Sequence, residues 1–197
     1  RYAEYPDAQP EGWTEKRIDL FERYCLPSLK AQSDKDFVWL LLLDKDSPDF
    51  LKQKMQDYAK DFPQIRCAYC SLCESDDDFF SRIKNEVKET LKGKSGYLLS
   101  ARVDNDDALH TKYVEDLKSA VKEKGETGFY SFPNGLQYFQ SSGHFIRLRL
   151  VANHYVAFLE EINEKTQSVM AFRHHEIGGF DKINNIKDTS FNPLILF

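Results

Sequence analysis

Short apolar runs alternate along this chain with longer segments whose apolar residues recur every three or four positions. The runs at residues 37–43, 65–72 and 97–103 are typical of buried strands. The segments between and after them carry apolar residues at helical spacing. This order predicts an α/β core whose sheet is flanked by helices. With 197 residues, the chain is long enough for one sizeable core.

The second half of the chain has a different pattern, because strand-like segments there follow one another without a helix between them. Segments near residues 136–140 and 144–151 are joined by a Ser-Ser-Gly turn, which predicts an antiparallel hairpin that extends a mixed sheet toward the C-terminus. We therefore predict a single domain over the whole chain, made of a first half at residues 1–125 and a second half at 126–197.

The charge and hydropathy of the chain narrow the range of its partners. A net charge of −5 and the lack of a Lys/Arg block argue against nucleic acid. The apolar run at residues 37–43 is far shorter than the ~20 residues of a membrane-spanning helix, and no signal peptide opens the printed sequence. We expect a cytoplasmic protein and leave open peripheral contact with a membrane; the oligomeric state is not defined by the sequence.

Acidic residues follow the third apolar run directly. Asp104, Asp106 and Asp107 stand at its carboxyl end, where open α/β sheets bind their ligands. Their charges repel one another unless a cation or a polyol ligand satisfies them, and carboxylate oxygens are the ligands that Mg²⁺ and Mn²⁺ prefer. Asp44 ends the first run, so parallel neighbouring strands would bring it to the same edge. The alternative is a polar loop in which Asp104 or Asp107 caps the following helix.

Three cysteines at regular spacing could also be taken for a metal site. Cys67, Cys70 and Cys73 are three residues apart, and Cys25 lies far upstream. In an extended strand this spacing points successive cysteines to opposite faces, which disfavours convergence on zinc or an iron–sulfur cluster. We therefore interpret them as small hydrophobic residues.

The segment Arg102-Val103-Asp104-Asn105-Asp106-Asp107 resembles the Arg-x-Asp-x-Asp-Asp form of the DxD motif in nucleotide-sugar glycosyltransferases of the A-type fold. Residues 26–33 and the run that ends at Asp44 are similar to the first helix and second strand of these enzymes. More narrowly, residues 21–29, 37–40 and 102–110 resemble the rhamnosyltransferase family. The resemblance covers residues 13–115 well and the remainder loosely.

The resemblance implies a Rossmann-like, metal-dependent hexosyltransferase. It would use Mn²⁺ or Mg²⁺ to move a sugar, such as rhamnose, from a nucleotide-sugar donor to a glycan or other acceptor in polysaccharide biosynthesis. The half at 1–125 would bind the nucleotide sugar and the half at 126–197 would face the acceptor. Members of the family usually begin with an apolar strand, whereas this sequence begins at Arg1, so we expect that strand either to be absent or to lie outside the printed sequence.

The resemblance also implies roles for individual residues. Asp44 would contact the base or ribose, and Asp104 the donor sugar or ribose. Asp106 would bind the metal, with Asp104 as a second ligand. Arg102 would pair with these carboxylates or with the donor diphosphate, since bidentate geometry suits either.

An inverting transfer also needs a base for the acceptor hydroxyl. By position we assign Glu160 to this role, with the neighbouring Glu161 as the other candidate and Asp107 as a second catalytic carboxylate; the alternative for both glutamates is an exposed pair that closes an amphipathic helix. Tyr138 could stack on a sugar acceptor, although aromatic residues in a hairpin are usually part of a core. The adjacent His174 and His175 could bind metal or phosphate, but such pairs are more often a surface feature.

Two other functions remain open. A Mg²⁺-dependent phosphatase of the haloacid dehalogenase type would use Asp44 as nucleophile and Asp46 as acid/base. The second open function is that of a catalytically inactive domain that binds a sugar nucleotide.

Overall fold

The computed structural model of the chain describes residues 11–70, 76–150, 155–173, 177, 183–186 and 194–196, with residues 76–79 and 194–196 described as backbone. In chain order the helices are α1 (Trp13–Leu20), α2 (Leu26–Lys30), α3 (Asp49–Asp61), α4 (Asp76–Leu91) and α5 (Tyr113–Lys124). The strands are β1 (Trp39–Asp44), β2 (Ile65–Cys70), β3 (Tyr97–Ser100), β4 (Gly128–Ser131), β5 (Asn134–Phe139), β6 (His144–Arg149), β7 (Ala157–Glu161), β8 (Ile183–Asn185) and β9 (Leu194–Leu196).

These elements form two compact units. The first contains Lys35–Lys92 and the described residues before Thr14, and the second contains Thr14–Asp34 and the described residues from Gly93 onward. The helices and sheets confirm the predicted α/β class. The single domain with a division at residue 125, and the A-type arrangement in particular, stay predictions. Among the described residues, no helix combines the length and apolar composition needed to cross a bilayer.

In the first unit, β1 and β2 pair in parallel, from Trp39 opposite Ile65 to Asp44 opposite Cys70. Helices α3 and α4 pack against β2. The predicted full burial of β1 is wrong: Trp39 is buried, but the rest of the strand is half-buried. Among the described strands, β1 has one hydrogen-bonded neighbour, and an edge strand keeps part of its surface exposed.

The described cysteines of β2 are free thiols. The Sγ atom of Cys67 lies 3.7 Å from the Met55 carbonyl oxygen, and that of Cys70 lies 3.8 Å from the Leu43 carbonyl oxygen. Burial raises the pKa of both thiols, and buried thiols of this kind are inert. Their contacts agree with the interpretation as small hydrophobic residues. Cys73 lies outside the described residues.

In the second unit, the main sheet has the strand order β3-β7-β4-β8. Strand β7 is antiparallel to both β3 and β4, while β8 is parallel to β4. Its core contains Phe129, Val156 and Ile177. The rings of Phe158 and Phe172 pack on that of Phe129 with centroids 4.8 and 5.0 Å away.

A second sheet in this unit is built on a hairpin. Strands β5 and β6 pair antiparallel, from Asn134 opposite Arg149 to Phe139 opposite His144, and β9 joins β5 in parallel. At the turn, Gly143 has φ = +71° and donates its N–H to the Phe139 carbonyl at 2.8 Å. Glycine adopts this left-handed conformation without the penalty of a Cβ atom.

The expectation that β1 and β3 pair as neighbours in one sheet is wrong. Among the described strands, β1 pairs with β2 and β3 pairs with β7, so the two acidic strand ends belong to separate sheets. The apolar pattern of a strand identifies the strand but not its partner, and β7 comes from much later in the chain.

Candidate functional site

The acidic motif forms a tight turn shortly after β3. The backbone N–H of Asp107 donates to the Asp104 carbonyl at 3.2 Å and closes this turn. Asp104 and Asn105 are exposed, Asp106 is half-buried, and Asp107 is buried. Among the described residues, no three His, Cys, Asp or Glu side chains converge as a group that could hold a metal. The three carboxylates therefore have three different environments.

Arg17 of α1 binds the turn through its guanidinium group. Nη2 lies 2.9 Å from Asp106 Oδ1, Nη1 pairs with Asp106 Oδ2, and Nη2 also donates to Asn105 Oδ1. The side chains of Arg17 and Asp106 are 27% and 21% exposed, so this charge pair is partly shielded from water. The sequence pattern did not identify Arg17, and no local signal marks it, because its contact with Asp106 joins residues 89 positions apart.

A π-helical turn, Phe21–Cys25, separates α1 from α2. Pro27 has no N–H with which to continue the α-helical pattern, and the Leu26 N–H donates instead to the Phe21 carbonyl, five residues back. The turn ends at the fully buried Cys25, whose thiol donates to the Asp104 carbonyl at 3.6 Å. Burial and the nearby carboxylates raise the pKa of Cys25. The thiol thus acts here as a protonated donor.

The far side of the motif is held by α2 and the residues after it. Gln32, 2% exposed, donates from Nε2 to the His110 carbonyl at 2.8 Å and accepts at Oε1 from the Val114 N–H at 3.1 Å. The Leu109 N–H donates to Ser28 Oγ at 3.2 Å. These contacts fix the backbone that leaves the acidic turn. In the sequence, this helix stands out only by its resemblance to the first helix of A-type glycosyltransferases, and no pattern indicates a role for Ser28 or Gln32.

Arg102 lies just before the acidic turn, and only part of its guanidinium group is hydrogen-bonded to described residues. Nη1 donates to the Phe172 carbonyl at 3.1 Å. Nε and Nη2 are buried, and neither has a hydrogen-bond partner among the described residues. Burial lowers the pKa of Arg102, and the charge of Asp104 opposes that shift. Buried donors without acceptors are costly, so this cation is suited to an anionic ligand.

Asp107 lies against a buried phenol. Burial raises the pKa of the Tyr155 hydroxyl, and the nearby charges of Asp107, Asp104 and Asp106 raise it further, so the hydroxyl stays protonated. The backbone of Tyr155 is fixed in turn, since its carbonyl accepts from the Tyr113 hydroxyl at 3.0 Å. The proposed catalytic role of Asp107 stays a prediction.

Glu160 of β7 holds a loop. Its Oε1 accepts from the Ser168 N–H at 2.7 Å, and its Oε2 accepts from the Gln167 N–H at 3.2 Å. Ser168 has φ = +68°, an uncommon conformation for a residue with a side chain. The next N–H, from Val169, donates to Ser100 Oγ at 2.8 Å, at the end of β3. Glu160 therefore fixes a strained loop beside the strand that leads to the acidic turn, and its role as the base stays a prediction.

We expect Glu160→Gln to lower the free energy of unfolding by about 1–2 kcal/mol, because a neutral amide replaces a charged acceptor of two backbone N–H groups. Chemical denaturation measures this change. Glu161→Gln is the matched control, since that neighbouring side chain is exposed. Equal stability of the two variants would show that the hydrogen bonds of Glu160 contribute nothing to the loop.

Asp44 belongs to the first unit. It is half-buried at the end of β1, and its Oδ1 accepts from the Asp46 N–H at 2.8 Å. Its predicted contact with the base or ribose is not tested by this geometry. His174 and His175 lie outside the described residues.

The described structure is thus a mixed α/β protein with an acidic turn after β3 and a partly engaged arginine beside that turn. A family model described as "Putative rhamnosyl transferase" matches residues 8–191, and the chain belongs to this family. The comparison with curated proteins found no match. The family assignment does not favour the phosphatase alternative.

Proposed function

We propose that this protein transfers a sugar from a nucleotide-activated donor to a glycan-type acceptor, and that the sugar is rhamnose. Membership of the family supports the class of reaction. The observation that carries the location is the state of Arg102, which has two buried guanidinium nitrogens without partners among the described residues. A donor diphosphate supplies the acceptor oxygens that these nitrogens lack.

In this proposal each residue of the turn has a separate task. Arg102 binds the diphosphate, and its hydrogen bond to the Phe172 carbonyl holds the guanidinium group in place. Asp104 is exposed and accepts hydrogen bonds from hydroxyls of the donor sugar or ribose. The hydrogen bonds of Ser28 and Gln32 keep the turn rigid, which supports both tasks.

The proposal includes a divalent cation. Asp104 and Asp106 offer carboxylate oxygens, and Mg²⁺ or Mn²⁺ is commonly held by one or two carboxylates together with substrate phosphates. Both oxygens of Asp106 are engaged by Arg17, so a cation has to share or replace that contact. A bound cation would stabilise the negative charge of the departing diphosphate.

Nucleotide binding tests this location. We expect Mn²⁺ together with uridine, guanosine or thymidine diphosphate to raise the melting temperature of the wild type, and Arg102→Gln to abolish the increase. Arg66→Gln is the control, since Arg66 pairs with Glu86 at 3.3 Å in the first unit. The proposal is overturned if no nucleotide stabilises the wild type, or if Arg102→Gln responds to the nucleotide as the wild type does.

An aromatic surface of the same unit is a candidate for contact with the acceptor. The rings of Tyr138 and Phe145 stack with centroids 4.7 Å apart, and Phe145 is 56% exposed. The ring of Tyr24, next to Cys25 in the π-helical turn, lies 6.3 Å from that of Tyr138. Exposed aromatic rings suit the apolar faces of sugars. Tyr24 adjoins Cys25, whose thiol contacts the acidic turn, so the aromatic cluster is close in the chain to a residue that contacts the proposed donor site.

We expect Phe145→Ala to raise the KM for a glycan acceptor about two- to tenfold, as loss of a stacking contact of about 0.5–1.5 kcal/mol predicts. The rate of donor hydrolysis without acceptor should stay unchanged. Phe50→Ala serves as control, because Phe50 is 53% exposed on α3 in the other unit. An unchanged acceptor KM in Phe145→Ala would remove the aromatic surface from the acceptor site.

A further inference from the structure

Arg17 occupies the carboxylate to which the metal role is assigned. Its guanidinium contacts both oxygens of Asp106, and one of its nitrogens also contacts Asn105. We propose that Arg17 is a displaceable counter-cation, which neutralises Asp106 before a divalent cation binds and thereby lowers the affinity for that cation. This inference rests on the proposed function, because it assumes that Asp106 is a metal ligand.

The geometry makes the two cations competitors. A metal bound to an Asp106 oxygen would lie within a few ångströms of the guanidinium, and like charges at such distances in a partly buried site repel each other. The pair is only 27% and 21% exposed, so water screens this repulsion incompletely. Binding of the metal therefore requires the Arg17 side chain to move away from Asp106.

The same pair changes the explanation of the acidic turn. The sequence predicts that the carboxylates need a cation or a polyol ligand to offset their repulsion. Arg17 already supplies one positive charge at Asp106, and Asp107 is buried away from water. Asp104 is exposed to water. Arg17 thus offsets the charge of Asp106 before a metal binds, and it sets how strongly a metal is bound.

The position of Arg17 allows this exchange. It lies on α1, and part of its side chain is exposed, so this long flexible arginine can turn its guanidinium group toward solvent. Asn105, its second partner, is also exposed. Neither contact locks the guanidinium in the interior.

Titration of the protein with Mn²⁺ alone, followed by the electron paramagnetic resonance signal of free Mn²⁺, tests the inference. We expect Arg17→Gln to bind Mn²⁺ at least about tenfold more tightly than the wild type, since one opposing charge is removed. Arg17→Lys should lie between them, because a lysine keeps the charge but not the bidentate contact. Arg23→Gln is the control, as Arg23 is 62% exposed and pairs with Asp19 at 2.8 Å. The double variant Arg17→Gln/Asp106→Asn should lose the gain.

Each other outcome is decisive. Equal affinity of wild type and Arg17→Gln, or weaker binding by Arg17→Gln with a normal circular dichroism spectrum, overturns the inference and leaves the proposed function standing. If Arg17→Gln does not fold, the inference is judged on Arg17→Lys, and an affinity no higher than that of the wild type overturns it. Lack of Mn²⁺ binding by the wild type and all variants overturns both the inference and the metal part of the proposed function.

Discussion

Asp106→Asn is expected to reduce sugar transfer about a thousandfold, since a metal that stabilises developing charge contributes several kcal/mol to the transition state. The amide cannot neutralise a divalent cation and is a far weaker ligand. The melting temperature should fall by only a few degrees, because the lost pair with Arg17 is partly exposed. Initial rates with Mn²⁺ and a nucleotide-linked sugar, compared with thermal unfolding, measure the two effects separately.

Asp19→Asn is the matched control for this variant. Asp19 also pairs with an arginine, Arg23, but its side chain is 51% exposed. We expect it to transfer sugar at the wild-type rate. If Asp106→Asn transfers sugar within threefold of the wild-type rate, Asp106 is not part of the reactive site.

Phe129→Ala is expected to lower the free energy of unfolding by about 3–5 kcal/mol, the usual cost of truncating a buried phenylalanine. Phe129 is 4% exposed, and its ring packs on those of Phe158 and Phe172. The main-chain carbonyl of Phe172 accepts from Arg102, so the cavity should also weaken nucleotide binding. Urea denaturation gives the first quantity and calorimetric titration the second.

Phe50→Ala is the matched control for Phe129→Ala, since it also removes a phenylalanine ring, but at an exposed position where little apolar surface is buried. Its cost should stay below about 1 kcal/mol. A comparably small loss in Phe129→Ala would contradict the placement of Phe129 in the core of the second unit.

The local sequence pattern predicted where the strands lie better than it predicted which strands pair with each other. The run at 65–72 contains β2 at Ile65–Cys70, and the run at 97–103 contains β3 at Tyr97–Ser100. Periodicity and apolar content act within a few residues, which is why they find strands. The pairing of β3 with β7 joins Tyr97 to Glu161, and no local signal encodes a contact between residues so far apart.

The candidate site divides in the same way. The turn of Asp104 and Asp106 could be predicted, because these residues directly follow an apolar run in the sequence, and that run marks the end of a strand. Arg17 could not, since its contact with Asp106 spans 89 residues. Glu160 was assigned from its place after an apolar segment, and only the fold brings the N–H groups of the loop to its carboxylate. Roles that depend on a distant partner need the structure.

The products of a single incubation test the central claim most directly. Wild-type protein, Mn²⁺ and a nucleotide-linked rhamnose, with a glycan acceptor present, should yield a nucleoside diphosphate and a glycosylated acceptor. Arg102→Gln/Asp106→Asn should yield neither above the level without protein. Release of inorganic phosphate instead, or equal yields of nucleoside diphosphate from the wild type and the double variant, would contradict a donor site at the acidic turn.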